Sequence, residues 1–238
     1  MHIIKYLQLP FFFDAGRLQQ ETDALNSMNW QPHYQVKHYE GEWNAIPLRS
    51  IAGKVDDIII SPTENRDYRD TVLLDSSPYL QQVLQNFKCP LQAVRLLKLN
   101  AGSIIKEHRD AELNFERGEI RLHIPVRTHT DVEFLLDKEK MHLKEGECWY
   151  MNFNLPHAIH NKSYINRVHL VVDAVVNDWV KKIFASAACP VKKEIEDTSG
   201  MYNEATKRQM IMQFREMNTA VSNKMADELE KELLIPGK

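Results

Sequence analysis

The chain has 238 residues, of which 43% are hydrophobic and 26% are charged, and its formal net charge is −3. This composition offers no basic excess to neutralise phosphates, which argues against nucleic acid and anionic membranes as partners. No apolar run approaches the ~20 residues that span a bilayer, and the three cysteines show no C-x-x-C spacing, so we expect a reducing, cytoplasmic location.

The N-terminal third combines helical and irregular patterns. Its first apolar run predicts a strand and a turn. Residues 14–28 then carry apolar side chains at three-to-four spacing behind Asp14, which predicts an amphipathic helix with Asp14 as its N-cap. Residues 30–75 show no sustained period and are interpreted as irregular. Helical spacing returns over residues 76–88, where a serine cap is followed by an early proline.

After Pro90 the chain consists of short apolar runs separated by turn residues. The runs are "AVRLLKLNAG", "GEIRLHIPVRT", "DVEFLLD", "GECWYMNF", "HAIHN" and "NRVHLVVDAVV". This rhythm is typical of a β-sandwich or jelly roll. The sequence therefore predicts a mainly β protein with flanking helices, whose cupin-like jelly-roll core lies in a domain of residues 1–180.

The chain becomes helical again from Asn177. Apolar residues recur at three-or-four spacing over 203–234, at Met210, Phe214, Met217, Val221, Met225, Leu229 and Leu233. Such a Met-rich stripe is more often packed core than a ligand site. We predict that residues 181–238 form a C-terminal helical extension of one or two helices, which covers the barrel or pairs with another copy in a homodimer.

Three residues predict a metal site. His108 and Asp110 are two positions apart at the end of an apolar strand, so their side chains leave the same face. His157 opens another short strand about fifty residues later, and adjacent jelly-roll strands face one interior. Two histidines and one carboxylate form the facial triad that holds non-haem Fe(II). His160 is the alternative histidine ligand, although its position predicts the opposite face of the strand.

A second group of residues predicts an anion-binding pocket. Arg167 follows His157 by ten residues in a strand that runs back along the barrel. A guanidinium inside a barrel is costly to bury unless it meets an anion, and its fork matches a carboxylate. Arg121 and His123 share one face of the otherwise apolar "IRLHIP" strand. These inward polar groups indicate an anionic ligand.

These motifs together resemble the aspartyl/asparaginyl β-hydroxylase family of Fe(II)/2-oxoglutarate dioxygenases and the free-proline hydroxylases related to it. The resemblance covers roughly residues 35–180. It rests on Gly102 six residues before His108, the R-x-H of Arg121 and His123, the "GECWYMN" strand, the H-x-x-x-N from His157 to Asn161, and Arg167.

The resemblance implies a double-stranded β-helix and a role for each matching residue. His108, Asp110 and His157 would be the iron ligands. Arg167 would bind the distal carboxylate of 2-oxoglutarate, and Arg121 and His123 would contribute to the same pocket. Animal members of the family have glycine in place of the acidic ligand, so this chain is similar to the bacterial members. A serine that contacts 2-oxoglutarate in the animal enzymes corresponds to Leu97.

The resemblance implies an enzyme that uses Fe(II), 2-oxoglutarate and O2 to hydroxylate a C–H bond of a free amino acid such as proline. Two alternatives remain. The first is a β-hydroxylase of aspartyl or asparaginyl residues in a peptide or protein. The second is a non-catalytic, cupin-like metal-binding or sensor protein, because the same ligands also bind Zn, Co and Mn. Asp173 is expected to be structural, or to orient a metal-binding histidine.

Overall fold

The computed structural model describes residues 2–25, 29–59, 67–110, 113–187, 191–194 and 204–234. The chain divides into two compact units, a large one of Ile3–Lys193 and a small one that contains Glu194–Lys238. The large unit holds all the residues that the sequence singles out for metal or anion binding. None of the described helices is long and apolar enough to cross a membrane.

Fourteen strands are described in the chain. They are β1 (His2–Phe12), β2 (Gln31–Pro32), β3 (Tyr39–Glu40), β4 (Trp43–Ile51), β5 (Tyr68–Asp70), β6 (Leu91–Leu99), β7 (Ile104–His108), β8 (Glu119–Arg127), β9 (Val132–Leu136), β10 (Glu139–Met141), β11 (Glu147–Met151), β12 (His157–Asn161), β13 (Arg167–Val175) and β14 (Val191–Glu194). One sheet has the order β14-β1-β11-β8-β13-β6-β4-β2, with β5 beside β4, and the other has the order β10-β9-β12-β7-β3.

The described helices lie at both ends of the chain and before the central strands. They are α1 (Ala15–Ala24), α2 (Val72–Asp75), α3 (Pro78–Leu84), α4 (Asp178–Ser186), α5 (Glu204–Met217) and α6 (Ala220–Leu234). The Asp14 carboxylate accepts a hydrogen bond from the Arg17 amide and caps α1, and the Asn177 side chain caps α4 in the same way. Both caps satisfy an amide that has no partner within the helix.

The central strands β8 and β13 are buried along almost their whole length, because each of their faces packs against a different layer. Their even-numbered residues, such as Leu122 and Leu170, join the main apolar core, which also contains Leu18 of α1, Leu80 of α3 and Phe184 of α4. Burying one such side chain contributes about 1.5–3 kcal/mol, so this layer between sheet and helices anchors both strands.

The odd-numbered residues of β8 and β13 point the other way, into the space between the two sheets. They include Arg121, His123, Arg167, His169 and Asp173, all at most 6% exposed. The His123 ring lies 6.3 Å from the Phe134 ring on the opposite sheet, so the two inner faces meet. The inner face of β8 and β13 therefore carries several polar side chains, while the main apolar core lies on the outer face of these strands.

The predicted fold class is confirmed, since the protein is mainly β, with a double-stranded β-helix core and C-terminal helices. The predicted Asp14 cap is confirmed, although α1 ends at Ala24 and Met28 lies outside the described residues. The helix predicted over 76–88 is shorter, Pro78–Leu84. The predicted C-terminal helical segment consists of α5 and α6, while the domain boundary near residue 180 stays a prediction.

The interpretation of residues 30–75 as irregular is wrong for β4. This strand pairs with β6 over Trp43–Arg49, and the register shifts between Pro47 and Arg49. Proline donates no hydrogen bond to a strand ladder and is found at bulges, so Pro47 argued against a strand in the sequence. The burial of β4 on both faces removes the alternation by which half-buried strands are recognised.

Candidate active site

His108, Asp110 and His157 come together at one end of the barrel. His157 opens β12 directly opposite His108, the last residue of β7, and their rings lie 4.2 Å apart. The Asp110 amide donates to the Phe153 carbonyl at 2.9 Å, which turns the chain after β7 towards the two histidines. One possible ligand atom from each of the three residues lies within 4.8 Å of the other two.

Each of the two histidine rings has its Nδ1 atom against a backbone carbonyl, which leaves its Nε2 atom available to a metal. His108 Nδ1 lies 2.8 Å from the Lys106 carbonyl, and His157 Nδ1 lies 3.1 Å from the Leu155 carbonyl. Because a carbonyl can only accept, each Nδ1 carries the proton and each Nε2 presents a lone pair. This is how metal-binding histidines are commonly oriented, so the donor set fits a divalent cation.

The protonation states also suit a cation. Burial lowers the pKa of His157 to about 4, so the imidazole is neutral at physiological pH. Burial alone would raise the pKa of Asp110, but the Arg121 guanidinium and the two histidines outweigh it and lower that pKa below its usual value. The site therefore offers a carboxylate and the neutral His157 imidazole to a cation.

A buried ionic cluster supports Asp110 from behind. Arg121 donates to the Asp110 carboxylate through Nη1. Arg121 also donates two hydrogen bonds to Asp173, from Nε at 2.6 Å and from Nη2 at 3.0 Å to the two carboxylate oxygens. Arg95 donates to the same carboxylate at 3.2 Å. Asp173 is completely buried, and its two guanidinium partners satisfy a charge that would otherwise be costly.

A second polar layer lies further along the barrel. Arg167 Nη2 lies 3.0 Å from His169 Nδ1, and His123 Nδ1 lies 3.2 Å from the same atom. A guanidinium only donates, so His169 Nδ1 is the acceptor and His123 Nδ1 is the second donor. His123 Nε2 is then left as a buried acceptor without a partner among the described residues. The His123 ring stacks on Phe153, next to His157.

Arg167 has the properties of an anion receptor. It is 1% exposed, and none of the described carboxylates pairs with it. Burial lowers the pKa of Arg167 to about 9, because no negative charge compensates for the lost hydration. A guanidinium in this state gains strongly from a carboxylate that enters the barrel.

Asn161 and Gly102 fix the turn that leads to Arg167. The Asn161 side-chain amide donates to the carbonyls of Leu99 and Ile165 at 3.0 and 2.8 Å, and the Asn161 backbone carbonyl accepts the Gly102 amide at 2.8 Å. Gly102 has a φ of 76°, which favours glycine. Two of the motif residues therefore shape the backbone instead of facing the barrel interior.

The structure thus separates the predicted site residues into two groups. His108, Asp110 and His157 form the cluster that the sequence predicts, while His123 and Arg167 lie further inside the barrel. Arg121, which the sequence predicts in the anion pocket, contacts Asp110 and Asp173, and its contact with a co-substrate stays a prediction. The metal-ligand roles of the three cluster residues also stay predictions. His160 is half-buried and lies outside the cluster.

Sequence reasoning missed Arg95 and gave Asp173 no specific partner. Arg95 stands in an apolar strand where nothing distinguishes it from a surface arginine. The Asp173 pair with Arg121 follows from the register of β13 on β8, in which these two residues are directly opposite. The alternation of "RVHLVVD" indicates that Asp173 shares a face with Arg167, which is the signal that could have identified it.

Comparison with known proteins identifies the family. The family model for aspartyl/asparaginyl beta-hydroxylase matches residues 14–176, more than half of the chain. The chain belongs to this family. The predicted resemblance is therefore confirmed, and the matched range contains both groups of site residues.

Curated relatives of this family member include two proline hydroxylases. L-proline cis-4-hydroxylase of Rhizobium meliloti (strain 1021) is 26% identical over 182 residues, which cover 75% of this chain and 64% of the relative. L-proline cis-3-hydroxylase 1 of Streptomyces sp is 25% identical over 197 residues, covering 78% and 64%. The chain thus matches less than two thirds of the length of either relative.

A solved structure of a 2OG-Fe(II) oxygenase family oxidoreductase from Burkholderia pseudomallei also aligns with this family member. The TM-score is 0.47 at 14% identity, and the alignment covers 74% of this chain and 89% of the other.

Proposed function

We propose that this member of the family is a dioxygenase that uses Fe(II), 2-oxoglutarate and O2 to hydroxylate a C–H bond of a free amino acid, such as proline or a close relative. The reaction would be coupled to decarboxylation of 2-oxoglutarate to succinate. The observation that carries the proposal is the combination of a two-histidine, one-carboxylate cluster with a buried guanidinium further along the same barrel that pairs with none of the described carboxylates. The names of the curated relatives support the substrate class.

The metal would be held by His108 Nε2, Asp110 and His157 Nε2. Three protein ligands leave open positions for a co-substrate, and two imidazoles with one carboxylate suit Fe(II). When bound, the iron supplies the redox chemistry by which O2 and 2-oxoglutarate are consumed. The chain would keep both rings in place through the Lys106 and Leu155 carbonyls, and it would keep Asp110 ionised through Arg121.

Arg167 would bind the distal carboxylate of 2-oxoglutarate. His123 lies between Arg167 and His157 in the barrel, beside the path that a bound dicarboxylate would take. The charge of Arg167 is uncompensated in the free protein, and a carboxylate would neutralise it. Because the guanidinium is buried, its attraction for a carboxylate is stronger than it would be at the surface.

Arg121 and Asp173 would act as positioning residues for Asp110. The bidentate pair fixes the guanidinium plane, and Nη1 of the same guanidinium contacts the Asp110 carboxylate. One carboxylate oxygen of Asp110 is therefore engaged by Arg121, while Oδ1 lies 3.6 Å from His108 Nε2. This arrangement favours a carboxylate that gives one oxygen to a metal.

The two alternatives would act differently on small molecules. A β-hydroxylase of aspartyl or asparaginyl residues would need a peptide, and a cupin-like sensor would bind metal without turnover.

Free thiols at Cys89 and Cys148 support a reducing, cytoplasmic location, which is part of the proposal. A homodimer through the exposed Met217, Val221 and Met225 of the small unit is also proposed, and light scattering after gel filtration tests it.

The experiment is an assay of succinate release with Fe(II), 2-oxoglutarate and a panel of acceptors. The panel contains L-proline, other free amino acids, L-prolinamide and short peptides with internal Asp or Asn. We expect a free amino acid to stimulate succinate release and to appear in hydroxylated form, and its amide to fail. Stimulation by peptides alone would support the peptidyl alternative, and metal binding without succinate would support the sensor.

His157→Ala and His160→Ala form a matched pair on one strand. His157→Ala should abolish succinate release because it removes a ligand, whereas His160→Ala should retain it because this ring lies outside the cluster. Full activity of His157→Ala would contradict the proposed site.

A further inference from the structure

A cavity of about 530 Å³ opens at the Arg167 side of the barrel. Its outer part is lined by exposed residues, Thr130 of the turn between β8 and β9, and His142 and Lys144 after β10. Its inner part is lined by Arg167 and His169, which are at most 2% exposed. The cavity therefore connects solvent to the unpaired guanidinium inside the barrel.

This cavity is distinct from the proposed metal site. None of His108, Asp110 and His157 lines it. Arg167 and Asp173 are the two ends of one strand face, six residues apart, which corresponds to roughly 20 Å along an extended strand. The Asp173 end carries the cluster around Asp110. The opening beside Arg167 is therefore separated from that cluster by His123 and Phe153.

The walls suit a small dicarboxylate. Phe134 and Met141 form apolar sides, and the Arg167 guanidinium lies 5.6 Å from the centre of the Phe134 ring. Among the described wall residues only Glu145 is acidic, and its carboxylate accepts from the Thr128 amide at 2.9 Å and from the Gln19 side chain at 3.0 Å. Lys144 at the outer edge adds positive charge, which attracts anions towards the opening.

We propose that this cavity is a second entrance to the barrel, through which a small carboxylate, the 2-oxo acid or the succinate formed from it, reaches and leaves Arg167 without passing the metal end. The identity of this carboxylate rests on the proposed function; the access to Arg167 does not. One consequence is that co-substrate exchanges while an amino acid occupies the metal end.

The first test measures access to Arg167 in metal-free protein with 2,3-butanedione, a small arginine-selective reagent, followed by peptide mass spectrometry. Arg167 should react faster than Arg95 and Arg121, which are slightly more exposed but whose guanidiniums are ion-paired. Glutarate at about four times its dissociation constant should slow the reaction about fivefold, by mass action. A wild-type Arg167 that reacts no faster than the paired arginines would overturn the proposal.

Two tryptophan variants then test the route. Lys144→Trp fills the outer part of the cavity, and Lys140→Trp makes the same change on exposed β10, away from the lining. Butanedione should modify Arg167 about fivefold more slowly in Lys144→Trp, and at the wild-type rate in Lys140→Trp. Equal rates in the two variants would overturn the proposal even if both fold normally.

The second test follows 2-oxoglutarate binding to anaerobic Fe(II)-loaded protein by stopped-flow absorbance. Lys144→Trp should lower the association and dissociation rates together by about tenfold and leave the dissociation constant nearly unchanged, because it obstructs a path and not the site. Unchanged rates would place co-substrate entry at the metal end. If wild-type protein gives no absorbance change, the proposed function fails, and the butanedione results still decide whether the cavity admits an anion.

Discussion

Replacement of Arg167 by methionine should strengthen the fold of the metal-free protein while it weakens co-substrate binding. The guanidinium is 1% exposed and has no carboxylate partner among the described residues. Burial lowers its pKa from 12.5 to about 9. At about 1.4 kcal/mol for each tenfold change in proton affinity, keeping this charge inside the barrel costs about 5 kcal/mol.

Methionine removes this cost and keeps an apolar side chain of similar length. The variant also loses the hydrogen bond to His169, which is worth about 1 kcal/mol. Buried charges replaced by well-packed apolar residues commonly stabilise proteins by about 1–4 kcal/mol, and we expect a gain in that range. Loss of the ion pair with 2-oxoglutarate should cost about 2–5 kcal/mol of binding, or about 30-fold or more in affinity.

Urea unfolding of metal-free protein measures the first effect, and calorimetric titration of 2-oxoglutarate into metal-loaded protein measures the second. Arg127→Met is the control, because the Arg127 side chain is partly exposed and already ion-paired with Asp23. It should change both quantities little. An Arg167→Met protein that is less stable than wild type would refute the reasoning, since it would mean that the guanidinium is already compensated.

Two further predictions concern the buried charges and histidines. Asp173→Asn should lower the free energy of unfolding by about 3–5 kcal/mol, because it leaves the buried Arg95 without its anion and Arg121 with Asp110 alone. Asp178→Asn on the surface should change this free energy little in the same urea series. Burial lowers the pKa of His33 to about 3 and of His157 to about 4. Below pH 6.5 these two histidines therefore bind protons in the unfolded chain but stay neutral in the folded chain. Stability of metal-free protein should therefore be full above pH 6.5 and fall below it, by about 1.4 kcal/mol per pH unit for each such histidine, and equal urea midpoints at pH 7 and pH 5 would contradict this assignment.

Local patterns in the sequence were enough to predict which residues share a face. The alternation of "IRLHIP" puts Arg121 and His123 on one side of β8, and the H-x-D spacing brings His108 and Asp110 together, as the structure also has them. These inferences depend on the two-residue period of a strand and need no knowledge of its neighbours.

Contacts between strands could not be predicted in the same way. The contact of Arg121 with Asp173 depends on the register of β8 against β13, and one chain alone does not specify that register. Arg95 is recognisable as a buried cation only once β6 is seen between β4 and β13. The strand around Pro47 was missed because its two buried faces leave no alternating pattern.

The central claim is that one barrel holds a metal through His108, Asp110 and His157 and a 2-oxo acid through Arg167. The most direct measurement is an anaerobic titration of metal-free protein with Fe(II) and then 2-oxoglutarate, followed by visible absorbance. We predict a charge-transfer band from keto-acid chelation in wild type and in His160→Ala, its loss in His157→Ala, and a higher half-saturation in Arg167→Met. A folded wild-type protein that gives no band would contradict the claim.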